Sequence, residues 1–301
     1  MRSQDLSYYA SQSPITDPGR MSGWLADVPN DLSDMRRIAR GLVIHYRAER
    51  PLEQGIAPQR LAEVDTRYAD EMLARLAELD NRTLTATRQP TERLVGCCRD
   101  FTVLFLTMAR AAGIPARARV GFATYFVPGY SVDHVVAEVW DTAGQRWRLV
   151  DAELGADHVG PDESARIDPL DVDRDKFLVA GAAWRLCRAR KADAESFLVD
   201  PHLDIVQMRS WPYLRHNLVH DLAALNKVEM LLWDSWGMIE PESLGLDDIE
   251  LLDRLAKLTS FIDPDPSELR AFYTAEPELQ VPVRVTSYDP LGGEPRQVLL
   301  R

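Results

Sequence analysis

The 301-residue sequence has no apolar run approaching the roughly 18 residues that a spanning helix needs, so insertion into a membrane is not expected. Its opening residues, MRSQDLSYYASQSPITDPGR, lack a charged start followed by an apolar stretch. No secretory leader is therefore read there, and the default compartment is the cytoplasm. Cysteine is scarce: Cys97, Cys98 and Cys187 are an odd set with two members adjacent. That pattern argues against a disulfide framework, and no pair has zinc-knuckle spacing. Positive charge is in deficit, with 35 Lys and Arg against 47 Asp and Glu, a net of −12. The deficit is concentrated in residues 201–301, which carry −8. Duplex DNA or RNA and anionic membrane both need the opposite sign, so neither is an expected partner. Lysine itself is rare, only Lys176, Lys191, Lys227 and Lys257, and nothing in the sequence accounts for that bias.

What is present is the composition of a globular chain, 46% hydrophobic and 27% charged, which excludes a disordered or fibrous protein. Residues 1–28 are polar, broken by Pro14, Pro18 and Gly19, and read as a flexible N-terminal arm. Asn30 and Asp31 offer a cap to a helix on which Met35, Ile38, Leu42 and His45 form one face. Residues 61–81 read as a second amphipathic helix, with Leu61, Val64, Tyr68, Met72, Leu76 and Leu79 as its stripe. Residues 98–112 are apolar almost all round, the mark of a helix buried on every side, and Gly113 and Pro115 stop it. Strand-like runs follow at 116–127, 134–141 and 146–154, then an acidic loop over 153–172. Helices are expected at 177–190, 213–237 and 244–261, and a hairpin around Gly292-Gly293 at the end. The order of elements indicates an α+β fold. The reading along the chain is the arm, a catalytic core over 29–199, and a mainly helical region over 200–301 packed on that core.

Three polar residues stand out by their surroundings. Cys98 falls in the first turn of the buried helix, where unpaired N–H groups and a partial positive charge favour a thiolate. The same N–H groups suit an oxyanion. His134 begins a strand and Asp151 ends the next. A hairpin that sets His134 opposite Asp151 pairs Val136 with Leu149, Glu138 with Trp147 and Trp140 with Gln145, around the loop 141–144. Opposed side chains at that spacing reach each other, which suits a base and its orienting acid.

These residues sit in an ordered set of motifs. Gly96-Cys97-Cys98-Arg99-Asp100-Phe101 precedes Ala112-Gly113-Ile114-Pro115-Ala116-Arg117. His134-Val135-Val136-Ala137-Glu138-Val139-Trp140 and Trp147-Arg148-Leu149-Val150-Asp151 follow. Over roughly residues 94–154 the chain resembles the transglutaminase-like superfamily, whose pattern reads G-x-C-x-D, then a helix and G-I-P-A-R, then a His strand and an Asp. The resemblance implies a papain-like core in which a buried nucleophile helix packs on an antiparallel sheet, with helical additions at both ends. It implies a triad of Cys98, His134 and Asp151, with Cys98 rather than Cys97 as nucleophile. It implies acyl transfer or hydrolysis at an amide or peptide-like bond through a Cys98 thioester, on a peptide, protein or small amide or amine. No cofactor and no metal enter that chemistry, and the sequence shows no EF-hand loop. The family also holds non-catalytic interaction or scaffold proteins, and an acyltransferase taking a carrier-bound thioester would use identical chemistry. The oligomeric state is left open.

Other residues have ordinary readings beside functional ones. Cys97 and Cys187 read as packing. Asp100 suits the helix dipole and can anchor a neighbouring loop. Arg117 and Arg119 read as partners for nearby acids, with a substrate carboxylate as the second reading. Tyr125, Phe126 and Tyr130 can form core or a substrate wall, whereas Trp140 and Trp147 read as core. His216 and His220 have the i, i+4 spacing of a metal pair, yet no third ligand is evident. His45 reads as a packed or capping side chain, and His158 and His202 as solvent-exposed.

Overall fold

In the computed structural model, which describes residues 3–155, 158, 166–240, 243–261 and 264–301, eight α-helices and ten strands are formed among those residues, with short 3-10 turns between them. The helices are α1 (Ser3–Tyr9), α2 (Leu32–Leu42), α3 (Ala69–Leu79), α4 (Cys98–Ala111), α5 (Ala180–Arg188), α6 (Ser210–Leu225), α7 (Leu246–Thr259) and α8 (Pro266–Ala275). The strands are β1 (Val43–His45), β2 (Leu94–Gly96), β3 (Ala116–Ala123), β4 (Ser131–Asp141), β5 (Arg146–Val150), β6 (Phe177–Val179), β7 (Phe197–Leu198), β8 (Asp234–Ser235), β9 (Arg284–Ser287) and β10 (Arg296–Leu299). This is the expected α+β class. Two compact units are formed: Met1–Ala118 with Val136–Ala156 and Pro169–Asp171, and Arg119–Val135 with Asp157–Asp168 and Val172–Arg301. Along the chain β3 leaves the first unit after Ala118, and β4 re-enters it at Val136. No helix among the described residues is long and apolar enough to cross a membrane. Of the expected acidic loop over 153–172, residues 156–157 and 159–165 lie outside the described residues.

In the first unit Asp31 caps α2 by accepting the Asp34 N–H at 3.0 Å, as its sequence suggests. The helix does not continue to His45. The β-branched pair Val43-Ile44 turns into a strand instead, parallel to β2 with His45 beside Gly96. His45 then caps the next turn, its Nδ1 accepting the N–H groups of Arg47 and Ala48, each at 3.1 Å. The single helix expected over 61–81 is also broken: Pro58–Asp65 is 3-10, and α3 starts only at Ala69. The chain between is extended because the Thr66 and Arg67 carbonyls accept from the Arg99 guanidinium rather than from a following turn.

Every residue of α4 from Cys98 to Arg110 is buried, as expected of a sequence apolar almost all round. Gly113, at φ +73°, ends it in a conformation that suits glycine. The β4–β5 hairpin forms in a register two residues from the expected one. Glu138 pairs with Leu149, Trp140 with Trp147 and Asp141 with Arg146. The same progression sets Val136, not His134, in line with Asp151. A shift of two leaves every side chain on its own face, so alternation cannot tell the two registers apart. The turn decides: Asp141 accepts the Ala143 N–H at 3.0 Å, and Gln145 takes φ +50°.

The segment read as a flexible arm is folded. Helix α1 brings Tyr9 edge-on to Trp147, with ring centroids 5.6 Å apart. Tyr9, Trp140 and Trp147 form one buried cluster, so the two tryptophans are core as expected. Thr16 is fully buried, and its hydroxyl and carbonyl accept from Arg110 and Thr107. These partners lie some ninety residues away, beyond any local pattern.

In the second unit β3 pairs antiparallel with β6, and β4 starts parallel to β7. A side chain at Gly121 would collide with the Leu178 carbonyl across the ladder, so this strand crossing needs glycine. The helix expected from 177 starts with strand β6 and becomes α5 only at Ala180. The helix expected over 213–237 is α6, which starts at Ser210 and stops at Leu225. Asn226 caps it and Lys227 follows at φ +64°. Helix α7 lies within the expected 244–261, and β9 and β10 form the expected C-terminal hairpin, joined to β8.

Candidate active site

The first unit carries the cysteine. β2 delivers the chain to Cys97 in an extended conformation, and α4 begins at the next residue. The Asp100 carboxylate reaches back to accept the Cys97 N–H at 2.9 Å, and the Cys97 carbonyl accepts the Asp100 N–H at 2.9 Å. This reciprocal pair closes the helix start. It also explains the glycine of the motif, because a Cβ at Gly96 would press on the Asp100 carboxylate and on Val43. Asp100 is gripped in turn by Arg99, Nη1 to Oδ1 at 2.9 Å, with both side chains buried. Burial pushes the Asp100 pKa up, with Arg99 and the Cys97 N–H opposing it. Asp100 thus both complements the dipole and anchors a loop, through Arg99 and the Arg67 carbonyl.

The three thiols differ. Cys98 is buried in the first turn of α4, at the end of the helix where the dipole favours negative charge. Cys97 shares a hydrogen bond with Cys98 that lowers its pKa, but burial and the Asp100 charge prevail and raise it. Cys187 is pushed up to about 11 by burial and by Asp193. Both of these remain thiols at neutral pH.

Asp151 is also in the first unit, fully buried just after β5. Its N–H donates to the Pro169 carbonyl at 2.8 Å. Its Oδ1 accepts the N–H groups of Glu153 at 2.9 Å and Leu154 at 3.3 Å. The Leu154 carbonyl accepts from Arg36, so the turn holding this carboxylate is tied to α2.

His134 lies on β4 in the second unit and is 1% exposed. Three rings meet it nearly edge-on, with centroids at 4.9 Å for Phe126, 6.1 Å for Tyr125 and 6.3 Å for Phe177. Tyr125 and Phe126 are therefore packed around this imidazole, while Tyr130 is exposed. His158 is not free in solvent as expected. It is half-buried, with Nε2 3.1 Å from the Tyr125 carbonyl, and it stands against the same two rings. His202 is exposed, as expected.

Sequence reasoning passed over the residue next to His134. Asp133 Oδ2 accepts the Tyr213 hydroxyl at 2.7 Å, and Oδ1 accepts Asn217 Nδ2 at 2.8 Å. Asn217 Nδ2 also donates to the Gly121 carbonyl at 3.1 Å. Desolvation pushes the Asp133 pKa up against these two donors and the His134 charge. No local signal marks Tyr213 and Asn217 as its partners, since they lie 80 and 84 residues away.

The i, i+4 histidines stack at 4.2 Å between centroids, within a column that runs from Tyr213 to Trp236. His216 Nδ1 is engaged with Asn217 Oδ1 and His220 Nε2 with the Asp234 carbonyl. Burial lowers the His216 pKa to about 4 and that of His220 well below its ordinary value, so both are neutral. The β3 arginines are paired with acids, as expected. In the first unit Arg117 Nε donates to Glu138 Oε2 at 2.7 Å, and in the second Arg119 holds Asp221 through two bonds of 2.9 and 2.8 Å.

The first unit is thus defined by a cysteine at the head of a buried helix, capped through a glycine and an aspartate, on an α+β scaffold. Residues 60–152 match the family model of the transglutaminase-like superfamily. Among solved structures, a candidate cysteine protease from Cytophaga hutchinsonii is 17% identical with a TM-score of 0.33. The match covers 50% of this chain and 43% of that one. Comparison with curated proteins returns no match.

Proposed function

We propose that the protein is a cysteine enzyme that cleaves or transfers an acyl group at an amide or peptide-like bond. The Cys98 thiolate adds to the carbonyl carbon, and the Cys98 N–H at the start of α4 stabilises the oxyanion. His134 takes the thiol proton and returns it to the departing amine as the C–N bond breaks. Asp151 orients the imidazole. The thioester then passes its acyl group to water or to an amine, and Cys98 and His134 return to their starting states. The acidic residues of 201–301 favour a cationic acceptor or a basic peptide.

The observation that carries this reading is the capped, buried helix start at Cys98 within the stretch that matches the family model. Its test is the rate of alkylation by iodoacetamide against pH, read at each cysteine by mass spectrometry. Cys98 is expected to react fast near pH 6 and to lose that advantage in His134→Ala, with Cys187 slow throughout. A Cys98 that reacts no faster than Cys187 overturns the reading and leaves a non-catalytic protein on the same scaffold.

A further inference from the structure

Helix α6 belongs to the region for which the motifs suggest no role, yet three of its residues reach β4, the strand of His134, and β3 beside it. Asp221 takes the Arg119 guanidinium and also accepts the Val120 N–H at 2.9 Å, which fixes β3. Asn217 donates to the Gly121 carbonyl on the same strand. Asn217 and Tyr213 then converge on Asp133 of β4. The orientation of the Asn217 amide is set by its own partners. Nδ2 points at two acceptors, and Oδ1 faces His216. Both Asp133 oxygens are thereby receivers of hydrogen bonds, an environment that suits a carboxylate rather than a carboxylic acid.

We infer that Asp133, clamped by Tyr213 and Asn217 of α6, is a positioning acid whose negative charge stabilises the protonated form of His134. The proposal rests on the catalytic reading of His134. The imidazole becomes cationic when it holds the Cys98 proton, and Phe126, Tyr125 and Phe177 withhold water from it. A neighbouring charge held at fixed distance is the natural compensation. Asp151, which orients the imidazole in the proposed function, is a separate acid acting on His134, and the ionisable groups of the second unit beside Asp133 are paired or uncharged. Arg119 is engaged by Asp221, His216 is uncharged, and His158 lies beyond Tyr125. The role assigned to residues 200–301 is therefore to hold one catalytic side chain in a charged, rigid setting.

The test is a titration of His134 by NMR, with its ring signals assigned by loss in His134→Ala. In a Cys98→Ala background the imidazole titrates free of the thiol. There Asp133→Asn is expected to lower the His134 midpoint by about half a pH unit or more. Tyr213→Phe removes one donor to the carboxylate and is expected to move the midpoint the same way by less. With Cys98 restored, Asp133→Asn is expected to raise the pH at which Cys98 alkylation sets in, and to have no such effect when His134 is also replaced by Ala. An unmoved or raised midpoint overturns the inference even if Cys98 proves reactive. A lowered midpoint with an unreactive Cys98 keeps the charge coupling and removes the catalytic reading. Should Asp133→Asn fail to fold, Tyr213→Phe decides alone, and no shift there counts against the proposal.

Discussion

In the first unit Cys98 stands at the head of a helix whose thirteen residues from Cys98 to Arg110 are all buried. In the second unit His134 stands on a strand whose neighbours are tied to α6 by hydrogen bonds and a buried ion pair. The first arrangement uses non-directional burial, with a short polar cap at Gly96 to Asp100. The second uses directional bonds between residues 80 to 102 apart in sequence. A nucleophile on a helix needs only its terminus in place. An imidazole needs a particular ring orientation and charge setting, and those come from directional contacts.

Single substitutions can break that contrast. Asp221→Ala leaves Arg119 buried without its partner and is expected to destabilise the second unit by about 3–5 kcal/mol. The double replacement Arg119→Met with Asp221→Leu is expected to be near neutral in stability, because a buried pair replaced whole costs little. In the first unit Phe105→Ala is expected to cost a similar 3–5 kcal/mol as a cavity, with no comparable rescue by a partner change. Urea denaturation gives the totals, and hydrogen exchange read by mass spectrometry assigns each loss to its unit. A double replacement as harmful as Asp221→Ala alone erases the distinction drawn between the units.

Acid sharpens the comparison with a smaller effect. His216 and His220 have folded-state pKa values below the ordinary 6.5, so the unfolded chain binds more protons. Their contribution is complete above about pH 6.5 and is lost as pH falls towards 4. For His216 alone the shift to about 4 corresponds to roughly 3 kcal/mol. In the first unit Glu63 is lowered, its burial outweighed by hydrogen bonds from Arg60, the Val95 N–H and Arg75. It gives up its share only below about pH 4.5. Between these limits the second unit is expected to open first in hydrogen exchange. The difference is expected to shrink in His220→Phe, in which the raised pKa of Asp133, of opposite sign, is unchanged. Equal acid sensitivity of the two units would remove pH as a means of separating them.

Legibility in the sequence follows the same division. The cysteine helix was readable because burial on all sides leaves a stretch that is apolar almost all round, and the motif residues Gly96 and Asp100 have local roles within five positions. The β4–β5 hairpin was readable, but its register was not, since a slip of two preserves the alternation and only Asp141 and Gln145 settle the turn. β1 escaped notice because three residues make a strand only when β2, fifty residues on, pairs with them. Helix α6 was visible as apolar periodicity, whereas the meaning of Tyr213 and Asn217 was not. Each is an ordinary helical residue until Asp133 is brought beside it. Arginines 117 and 119 fall between the cases: pairing was foreseeable, the partners Glu138 and Asp221 were not.

Tyr9 and Trp147 enclose the Arg117 guanidinium, which lies 5.2 Å from the first ring centroid and 4.0 Å from the second. That arrangement makes Trp147 an optical witness to the N-terminal helix. Its indole is 1% exposed while α1 is docked, and its emission belongs at short wavelength. When α1 lifts away, the indole meets water and its emission moves to the red, and energy transfer from Tyr9 ceases. Trp147, one of seven tryptophans in the chain and read by difference from Trp147→Phe, thus reports on the segment that its own sequence presents as a loose tail.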